Sequence, residues 1–283
     1  MENQRDFKVI NGFILKIIAI VFMTIDHIGF FLGGYENTTD FAYIFRILGR
    51  FSFPIIIFLL VEGIRHTKSI AKYFTRLGIL AFAFMFGQLI FYFFISPEAS
   101  DVLSPALDLI LTASIVYLLK RKDKYSFLAV IPFAWAILSL VVRSYELTHF
   151  KEITWFPFIF RLDYSIYGPL LGVAFFYAKD LASLFLKSNE GTKDFVGTTY
   201  EQTTYNLICA IMLIILTTIL TIIDRYAFSI FVGMPWQIYA LFAALPIIFY
   251  SGKRGYNAKW FQYGCYVYFP AHLIILFLIF ALI

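Results

Sequence analysis

Long apolar runs separated by short polar breaks set the pattern of this chain. An α-helix needs about 20 mostly apolar residues to cross the hydrocarbon core of a bilayer, so runs of this kind predict membrane-spanning helices. The pattern predicts nine spans, at residues 13–33, 41–64, 77–95, 104–119, 125–142, 158–178, 205–223, 236–251 and 261–283. Because no soluble domain separates them, we predict a single all-α, polytopic membrane domain over residues 1–283.

The composition also indicates a membrane protein. Of the 283 residues, 61% are hydrophobic and only 14% are charged, and the mean hydropathy of +0.80 excludes a soluble globule of this length. The N-terminal segment has no small-residue cleavage site, so we expect an uncleaved first span. Cys209 and Cys265 fall inside predicted spans, where we expect buried apolar side chains and not a disulfide or a metal pair.

The 23 Lys and Arg residues are divided unequally between the predicted connections. Sixteen lie in the N-terminal tail and in the connections on its side, three lie in the opposite connections, and four lie within spans. Because cytoplasmic loops carry an excess of Lys and Arg, this bias predicts a cytoplasmic N-terminus and, with nine spans, an extracytoplasmic C-terminus. Topology then accounts for the net charge of +5, which gives no support to nucleic-acid binding.

Asp26 and His27 are ionisable residues inside the first predicted span, where a charged side chain costs roughly 3 kcal/mol on insertion scales. Either catalysis or a polar contact between helices explains their presence. The predicted orientation puts them in the outer half of the bilayer, at the depth of five ionisable residues from three other spans: Arg46, Arg50, Asp108, Arg161 and Asp163. The shared depth favours one outward-facing polar pocket over independent helix contacts.

A helix break is expected inside the second span. Arg46 and Arg50 are four residues apart and therefore share a helix face. Pro54 cannot donate the hydrogen bond that would normally satisfy the carbonyl of Arg50, so the helix is expected to kink there. Broken backbone at membrane depth is tolerated where protein or a cavity covers it, which favours a pocket-lining role, although a simple packing kink is the alternative.

A dense group of basic residues follows the second span and is named here the basic mouth: Arg65, His66, Lys68, Lys72 and Arg76. Such a group serves most simply as a topology signal that contacts anionic lipid. Clustered Arg and Lys also suit the phosphates of a polyanionic molecule such as coenzyme A. His272, near the middle of the last span, is either a second titratable group of the pocket or a hydrogen bonder between helices.

Several ordered motifs resemble the TraX family of membrane proteins. These are LKIIA at 15–19, MTIDHIG at 23–29, RILGRFSFP at 46–54, EGIRHT at 62–67, YFTRL at 73–77, DYSIYG at 163–168 and YFPAHL at 268–273. The resemblance implies an acetyltransferase of the bacterial cytoplasmic membrane, since the namesake acetylates the N-terminus of conjugative pilin. It also implies acetyl-CoA as the acyl donor, in the cytoplasm. In the fourth span the family pattern has an asparagine-led motif, whereas this chain has Asp108.

The implied reaction suggests roles for the polar residues. An amine attacks a thioester only when neutral, so His27 is the expected base. Asp26 is expected to orient His27 or to pair with Arg46 or Arg50, one of which stabilises the oxyanion. His272 is a reserve base or a relay for the acetyl group or its proton. The basic mouth is expected to bind the phosphates of acetyl-CoA. The acceptor pocket is expected to include Arg46, Asp108, Arg161, Asp163 and Tyr167.

Alternatives remain at this point. The transfer is either direct or passes through an acetyl-histidine, and a secreted peptide, a lipid-linked sugar or a cell-wall polymer would offer an acceptor amine or hydroxyl similar to that of a pilin. A proton-coupled secondary transporter also uses intramembrane Asp, His and Arg, although no broken helices recur at matching positions in two halves of the chain. A structural or assembly partner would need no reaction at all.

Overall fold

The computed structural model describes residues 9–33, 39–94, 105–151, 153–188, 190–227, 230–231 and 236–282. Within these ranges the secondary structure is helical, apart from one isolated bridge between Ile10 and Tyr250. The α-helices are α1 (Gly12–Leu32), α2 (Thr39–Gly49), α3 (Ser52–His66), α4 (Ile70–Phe94), α5 (Pro105–Arg121), α6 (Val130–His149), α7 (Tyr167–Ser188), α8 (Thr199–Tyr226), α9 (Ala244–Ile248) and α10 (Lys259–Ala281). Short 3-10 helices lie at Ser126–Ala129, Phe158–Phe160, Glu190–Phe195 and Gln237–Ala243. The all-α prediction is confirmed.

Seven helical stretches among the described residues are long and apolar enough to cross a membrane, so the chain is a multi-pass membrane protein. They are α1, Thr39–His66 with α2 and α3 together, α4, Ser126–His149, α7, α8 and α10. The fourth and eighth predicted spans correspond to helices shorter than these seven: α5 has 17 residues, and residues 237–248 form a short apolar helix. The sixth predicted span, 158–178, is shifted, because α7 begins only at Tyr167.

The predicted break in the second span is present. The helix changes to 3-10 bonding where Arg50 N donates to Ile47 O at 3.2 Å and Phe51 N donates to Leu48 O at 3.3 Å. Gly49 lies at this break and also touches α1, since a Cβ on it would be 2.1 Å from Cβ of Asp26. The α1–α2 contact is therefore close enough to bring polar groups of both helices together.

Helix α3 forms the centre of the bundle. Its buried residues pack against α1, α5 and α7. Gly172 of α7 allows the α5–α7 approach, because a Cβ there would lie 2.3 Å from Cγ2 of Thr112. This contact agrees with the close packing expected of a small residue at a helix interface in a membrane.

Helices α1 and α10 lie side by side and run in the same direction. The ring centroids of Phe13 and Phe261 are 4.8 Å apart near the two helix starts, and those of Phe31 and Phe280 are 5.4 Å apart near the two ends. Asn11 starts α1, because its side-chain oxygen accepts hydrogen bonds from Phe13 N and Ile14 N at 3.0 Å. This parallel pair carries one histidine on each helix.

Candidate functional site

Asp26 forms ion pairs with both arginines of the second span. Its Oδ2 lies 2.5 Å from Nη1 of Arg46, and its Oδ1 accepts a hydrogen bond from Nη2 of Arg50. The Asp26 and Arg50 side chains are buried, and Arg50 is only 2% exposed. Asp26 therefore pairs with both arginines, and its carboxylate makes no hydrogen bond to the imidazole of His27.

The guanidinium of Arg50 keeps one unused donor. Its Nε donates to the carbonyl of Arg46 at 3.1 Å and its Nη2 to Asp26, while Nη1 is buried without a hydrogen-bond partner among the described residues. Seven other buried side-chain atoms of the described residues share this state, among them Nη1 of Arg65, and each such atom needs an explanation. A ligand oxygen placed at Nη1 would supply the missing acceptor.

His27 of α1 contacts His272 of α10. Nδ1 of His27 is 3.0 Å from Nε2 of His272, and the two ring centroids are 4.8 Å apart. Nδ1 of His27 also lies 2.9 Å from the carbonyl oxygen of Met23. Nε2 of His27 has no hydrogen bond to any described residue. The two predicted histidines thus form one unit next to the Asp26 ion pairs.

A second polar pair supports the histidine contact. Oγ1 of Thr24 is 2.6 Å from the hydroxyl oxygen of Tyr268, and the Tyr268 ring stacks on His272 with an interplanar angle of 6°. The sequence arguments assigned no role to either Thr24 or Tyr268. The available signal was the spacing of four residues between Tyr268 and His272, which puts them on one face of α10.

Asp108 anchors the loop that precedes α7. Its two carboxylate oxygens accept hydrogen bonds from Asp163 N at 2.9 Å and Tyr164 N at 3.1 Å, and the side chain is fully buried. The same loop is held by Ser139 Oγ, which accepts from Leu162 N at 2.8 Å. The contacts of Asp108 are therefore structural.

Arg161 lies in this loop and not in a helix, contrary to the sequence prediction. Its guanidinium donates to Glu146 at 2.7 Å and to the carbonyls of Phe156 and Ile153. In a helix, these carbonyl groups would accept hydrogen bonds from the helix backbone. Here the Arg161 guanidinium supplies the hydrogen bonds instead, which explains why α7 begins only after this loop. Among the described residues, the hydrogen-bond and ion-pair partners of the Arg161 side chain are Glu146, Ile153 and Phe156, and they do not include Asp26.

Asp163 and Tyr167 differ in their surroundings. The Asp163 side chain is half-buried and lies in the electrostatic field of Arg143 first, and then of Arg50 and Arg46. Tyr167 is fully buried, and its hydroxyl group lies 2.8 Å from Oγ1 of Thr217 in the α7–α8 contact. Asp163 is thus brought to the arginine cluster, whereas the hydroxyl group of Tyr167 makes a core contact.

Arg65 is turned into the protein and not towards the rest of the basic mouth. Its Nη2 donates to the carbonyls of Phe175 and Phe176 in α7, and its guanidinium lies 5.0 Å from the ring centroid of Tyr205. Glu62 accepts a hydrogen bond from the Tyr205 hydroxyl at 3.1 Å in the same cluster. Arg65 therefore links α3 to α7 and α8.

The other residues of the basic mouth lie nearer the surface. His66, Lys68 and Lys72 are exposed, and the Arg76 guanidinium lies 5.8 Å from the ring centroid of Tyr266 on α10. Arg254 joins them, since its Nη2 donates to the carbonyl of His66 at 3.4 Å. Sequence reasoning had counted Arg254 only as a topology signal, because nothing in the sequence shows that the start of α10 meets the end of α3.

Among the described residues, no group of three or more His, Cys, Asp and Glu is arranged to hold a metal ion. Cys209 is buried and Cys265 is partly buried, and both thiols are free. The side chains described at the site carry imidazole, carboxylate, hydroxyl and guanidinium groups.

Comparison with known proteins gives two matches. A family model described as TraX protein matches residues 11–188, which confirms the resemblance seen in the motifs. A relative from Dichelobacter nodosus, named probable fimbrial assembly protein FimC of serogroup H1, is 26% identical over 98% of this chain and 97% of its own length. No solved structure matches. The range matched by the family model includes Asp26, His27, Arg46 and Arg50, whereas His272 lies outside it.

Proposed function

Because the chain belongs to the TraX family, we propose that it is a membrane-embedded acetyltransferase. It moves an acetyl group from cytoplasmic acetyl-CoA to the N-terminal amine of a pilin-like peptide on the outer side of the bacterial cytoplasmic membrane. The association of the TraX family with pilin acetylation supports the reaction. The name of the Dichelobacter relative, a fimbrial assembly protein, supports a fibre subunit as the acceptor.

One observation carries the proposal: two consecutive residues of α1 are Asp26, which binds a buried arginine whose Nη1 has no partner, and His27, whose Nε2 has no hydrogen bond to a described residue. Nε2 of His27 is free to accept a proton, and Nη1 of Arg50 is free to donate a hydrogen bond. Asp26, the neighbour of His27 in α1, holds Arg50 in place. Acyl transfer needs both a base and an oxyanion donor in one site.

The residues act in the following order. His27 takes a proton at Nε2 from the acceptor nitrogen while that nitrogen attacks the thioester carbon. Arg50 donates from Nη1 to the oxygen that becomes negative, a contribution of about 3 kcal/mol for donors of this kind. The carbon–sulfur bond then breaks, and His27 returns the proton to the leaving sulfur. The products are an acetylated amine and a free thiol.

The acyl donor is assigned to the end of the bundle where α1 and α10 begin and α3 ends. Gly12 N donates to the carbonyl of Lys253 at 2.8 Å there, and Arg254 reaches His66. We assign the phosphates to Lys68, Lys72, Arg76 and Arg254 and leave out Arg65, because its guanidinium binds α7 carbonyls. The unequal distribution of Lys and Arg supports a cytoplasmic location for this end.

The acceptor is assigned to the opposite end, near the loop before α7. The Asp163 carboxylate lies in the field of Arg143, Arg50 and Arg46 and forms no ion pair within 4 Å with a described residue, so we assign to it an incoming ammonium group that loses its proton to His27. Asp108, Arg161 and Tyr167 are left out of the acceptor pocket, because their polar groups already bind protein partners.

The test compares two histidine substitutions in purified, monodisperse protein. His27→Ala is expected to lower acetyl transfer from labelled acetyl-CoA to a pilin-like peptide by about 100-fold or more, because the base is lost. His149→Ala is the matched control, since His149 is exposed at the end of α6. Transfer by His27→Ala at the wild-type rate would remove His27 from the mechanism. Label retained on the wild-type protein would indicate an acetyl-histidine intermediate instead of direct transfer.

A proton-coupled transporter is the second candidate, because two contacting histidines inside a helix bundle also suit a proton relay. The same protein in sealed vesicles separates the two candidates. A proton-dependent flux of a small molecule without acetyl-CoA would favour transport, whereas a labelled peptide without such a flux would favour acetyl transfer.

A further inference from the structure

The hydrogen-bond partners of His272 determine which of its nitrogens carries the proton. Nδ1 lies 2.9 Å from the carbonyl oxygen of Tyr268. A carbonyl oxygen only accepts, so Nδ1 is the donor, and in the neutral ring Nε2 then has a lone pair. That lone pair faces Nδ1 of His27 at 3.0 Å.

The hydrogen-bond partners of His27 also determine which of its nitrogens carries the proton. Its Nδ1 faces two acceptors, Nε2 of His272 and the carbonyl oxygen of Met23 at 2.9 Å. Nδ1 must therefore carry the proton, because a lone pair there would face two other lone pairs. The proton of a neutral imidazole is on one nitrogen only, so Nε2 of His27 is the unprotonated nitrogen.

The Thr24–Tyr268 pair holds the ring of His272. Oγ1 of Thr24 donates to the carbonyl of Ile20 at 2.8 Å, so its proton is used, and the Tyr268 hydroxyl donates to Oγ1 at 2.6 Å. Tyr268 also stacks on His272, with the ring centroids 5.2 Å apart. Thr24 of α1 thus fixes Tyr268, Tyr268 fixes the ring of His272, and His272 in turn contacts His27 of α1.

We propose that His272 is a positioning residue that keeps His27 in the tautomer with an unprotonated Nε2, and so selects the atom that takes the proton of the acceptor. This inference rests on the proposed acetyltransferase function. A positioning role for His272 differs from that of a reserve base, because both of its nitrogens already have hydrogen-bond partners: Nδ1 binds Tyr268, and Nε2 binds His27.

The hydrogen bond from His27 to His272 becomes stronger during proton transfer. When Nε2 of His27 takes the proton, the ring becomes a cation, and its Nδ1–H bond to His272 becomes charge-assisted and stronger. An interaction that is stronger in the transition state than in the ground state raises kcat and leaves KM unchanged. Substitution of His272 is therefore expected to lower kcat and to leave KM unchanged.

The first measurement is the nitrogen NMR spectrum of the full-length protein labelled with ¹⁵N-histidine. The chain has four histidines, so a His66→Gln, His149→Gln background leaves only His27 and His272. Each of the two rings is expected to show a protonated Nδ1 and an unprotonated Nε2. A protonated Nε2 in neutral His27 would overturn the inference, even in an enzyme that transfers acetyl groups.

The second measurement compares His272→Gln with His272→Leu. Gln puts an acceptor oxygen near the position of Nε2, whereas Leu removes the acceptor and keeps the bulk. His272→Leu leaves the Met23 carbonyl as the remaining acceptor for Nδ1 of His27. It is therefore expected to weaken the preference of His27 for the Nδ1–H tautomer and to lower kcat about 10- to 100-fold, part of the effect of a lost base. His272→Gln is expected to restore most of both, with unchanged KM for donor and acceptor.

The outcomes separate the inference from the function on which it rests. Wild-type kcat in His272→Leu would overturn the positioning role, and so would a failure of His272→Gln to exceed His272→Leu in folded protein. Absence of acetyl transfer by the wild-type protein would overturn the proposed function, and the positioning role with it, while the tautomer seen by NMR would stand by itself.

Discussion

At the scale of single residues, Asp26, Arg46 and Arg50 form one small cluster of paired charges with one positive charge in excess. One carboxylate serves two guanidinium groups, and Arg50 is almost completely removed from solvent. Sequence reasoning found these three residues because they share a depth and because Arg46 and Arg50 share a helix face. It left the partner of Asp26 open, since the choice depends on how closely α1 approaches α2.

Asp26→Asn tests the stability of this cluster. It leaves Arg50 buried without its counter-charge, which is expected to destabilise the protein by roughly 3 to 5 kcal/mol. Arg50→Gln combined with Asp26→Asn is expected to recover part of this loss, because the more deeply buried of the two unpaired charges is then removed and only Arg46 lacks its counter-charge. Thermal unfolding of the single and double variants in one detergent measures the coupling, and strictly additive losses would contradict the ion pair.

Arg50→Lys tests the catalytic donor separately from the charge. Lysine keeps a positive charge for Asp26 but lacks the fork that presents Nη1. We expect about a 100-fold loss of kcat with a Tm near that of the wild-type protein. A kcat within a few-fold of the wild-type value would show that Nη1 of Arg50 does not stabilise the oxyanion.

At the scale of elements, the site depends on how α1 packs against α2 and against α10. His27 and His272 are 245 residues apart, and only the parallel packing of α1 and α10 brings them together. Local sequence patterns do not contain this information. Arg65 shows the same limit, because a count of basic residues does not reveal that its guanidinium is turned into the α3–α7 contact.

Gly49→Ala tests the α1–α2 approach. A Cβ at this position would lie 2.1 Å from Cβ of Asp26, so the two helices would have to separate. We expect a loss of roughly 1 to 3 kcal/mol in stability together with a loss of acetyl transfer. Gly78→Ala in α4 is the matched control, since no atom lies within 4 Å of the added Cβ. Equal behaviour of the two variants would contradict the close approach.

Lys72→Gln with Arg76→Gln tests the assignment of the donor end. The pair is expected to raise the KM for acetyl-CoA about 10-fold by removing phosphate contacts, with an unchanged KM for the acceptor peptide. Arg65→Gln is expected to lower the Tm instead, because it breaks the link from α3 to the α7 carbonyls. If Arg65→Gln instead raised the KM for acetyl-CoA and left the Tm unchanged, the result would support Arg65 as a phosphate ligand.

At the scale of the whole molecule, composition and periodicity were sufficient to predict an all-α, multi-pass membrane protein. The number of long spans was not predictable to the same degree, since residues 104–119 and 236–251 are apolar enough to suggest spans yet form helices of 17 residues and fewer. Loop residues Arg161 and Asp163 were read as helical because the apolar pattern continues through them, whereas polar contacts to Glu146 and Asp108 hold that backbone as a loop.

A sealed vesicle shows whether the protein transfers the acetyl group across a membrane. The purified protein is reconstituted with labelled acetyl-CoA enclosed inside and a pilin-like peptide outside. We predict that label appears on the N-terminal amine of the outside peptide with the wild-type protein and with His149→Ala, but not with His27→Ala. An unlabelled outside peptide, in vesicles whose protein acetylates the same peptide once they are opened with detergent, would contradict transfer across the membrane.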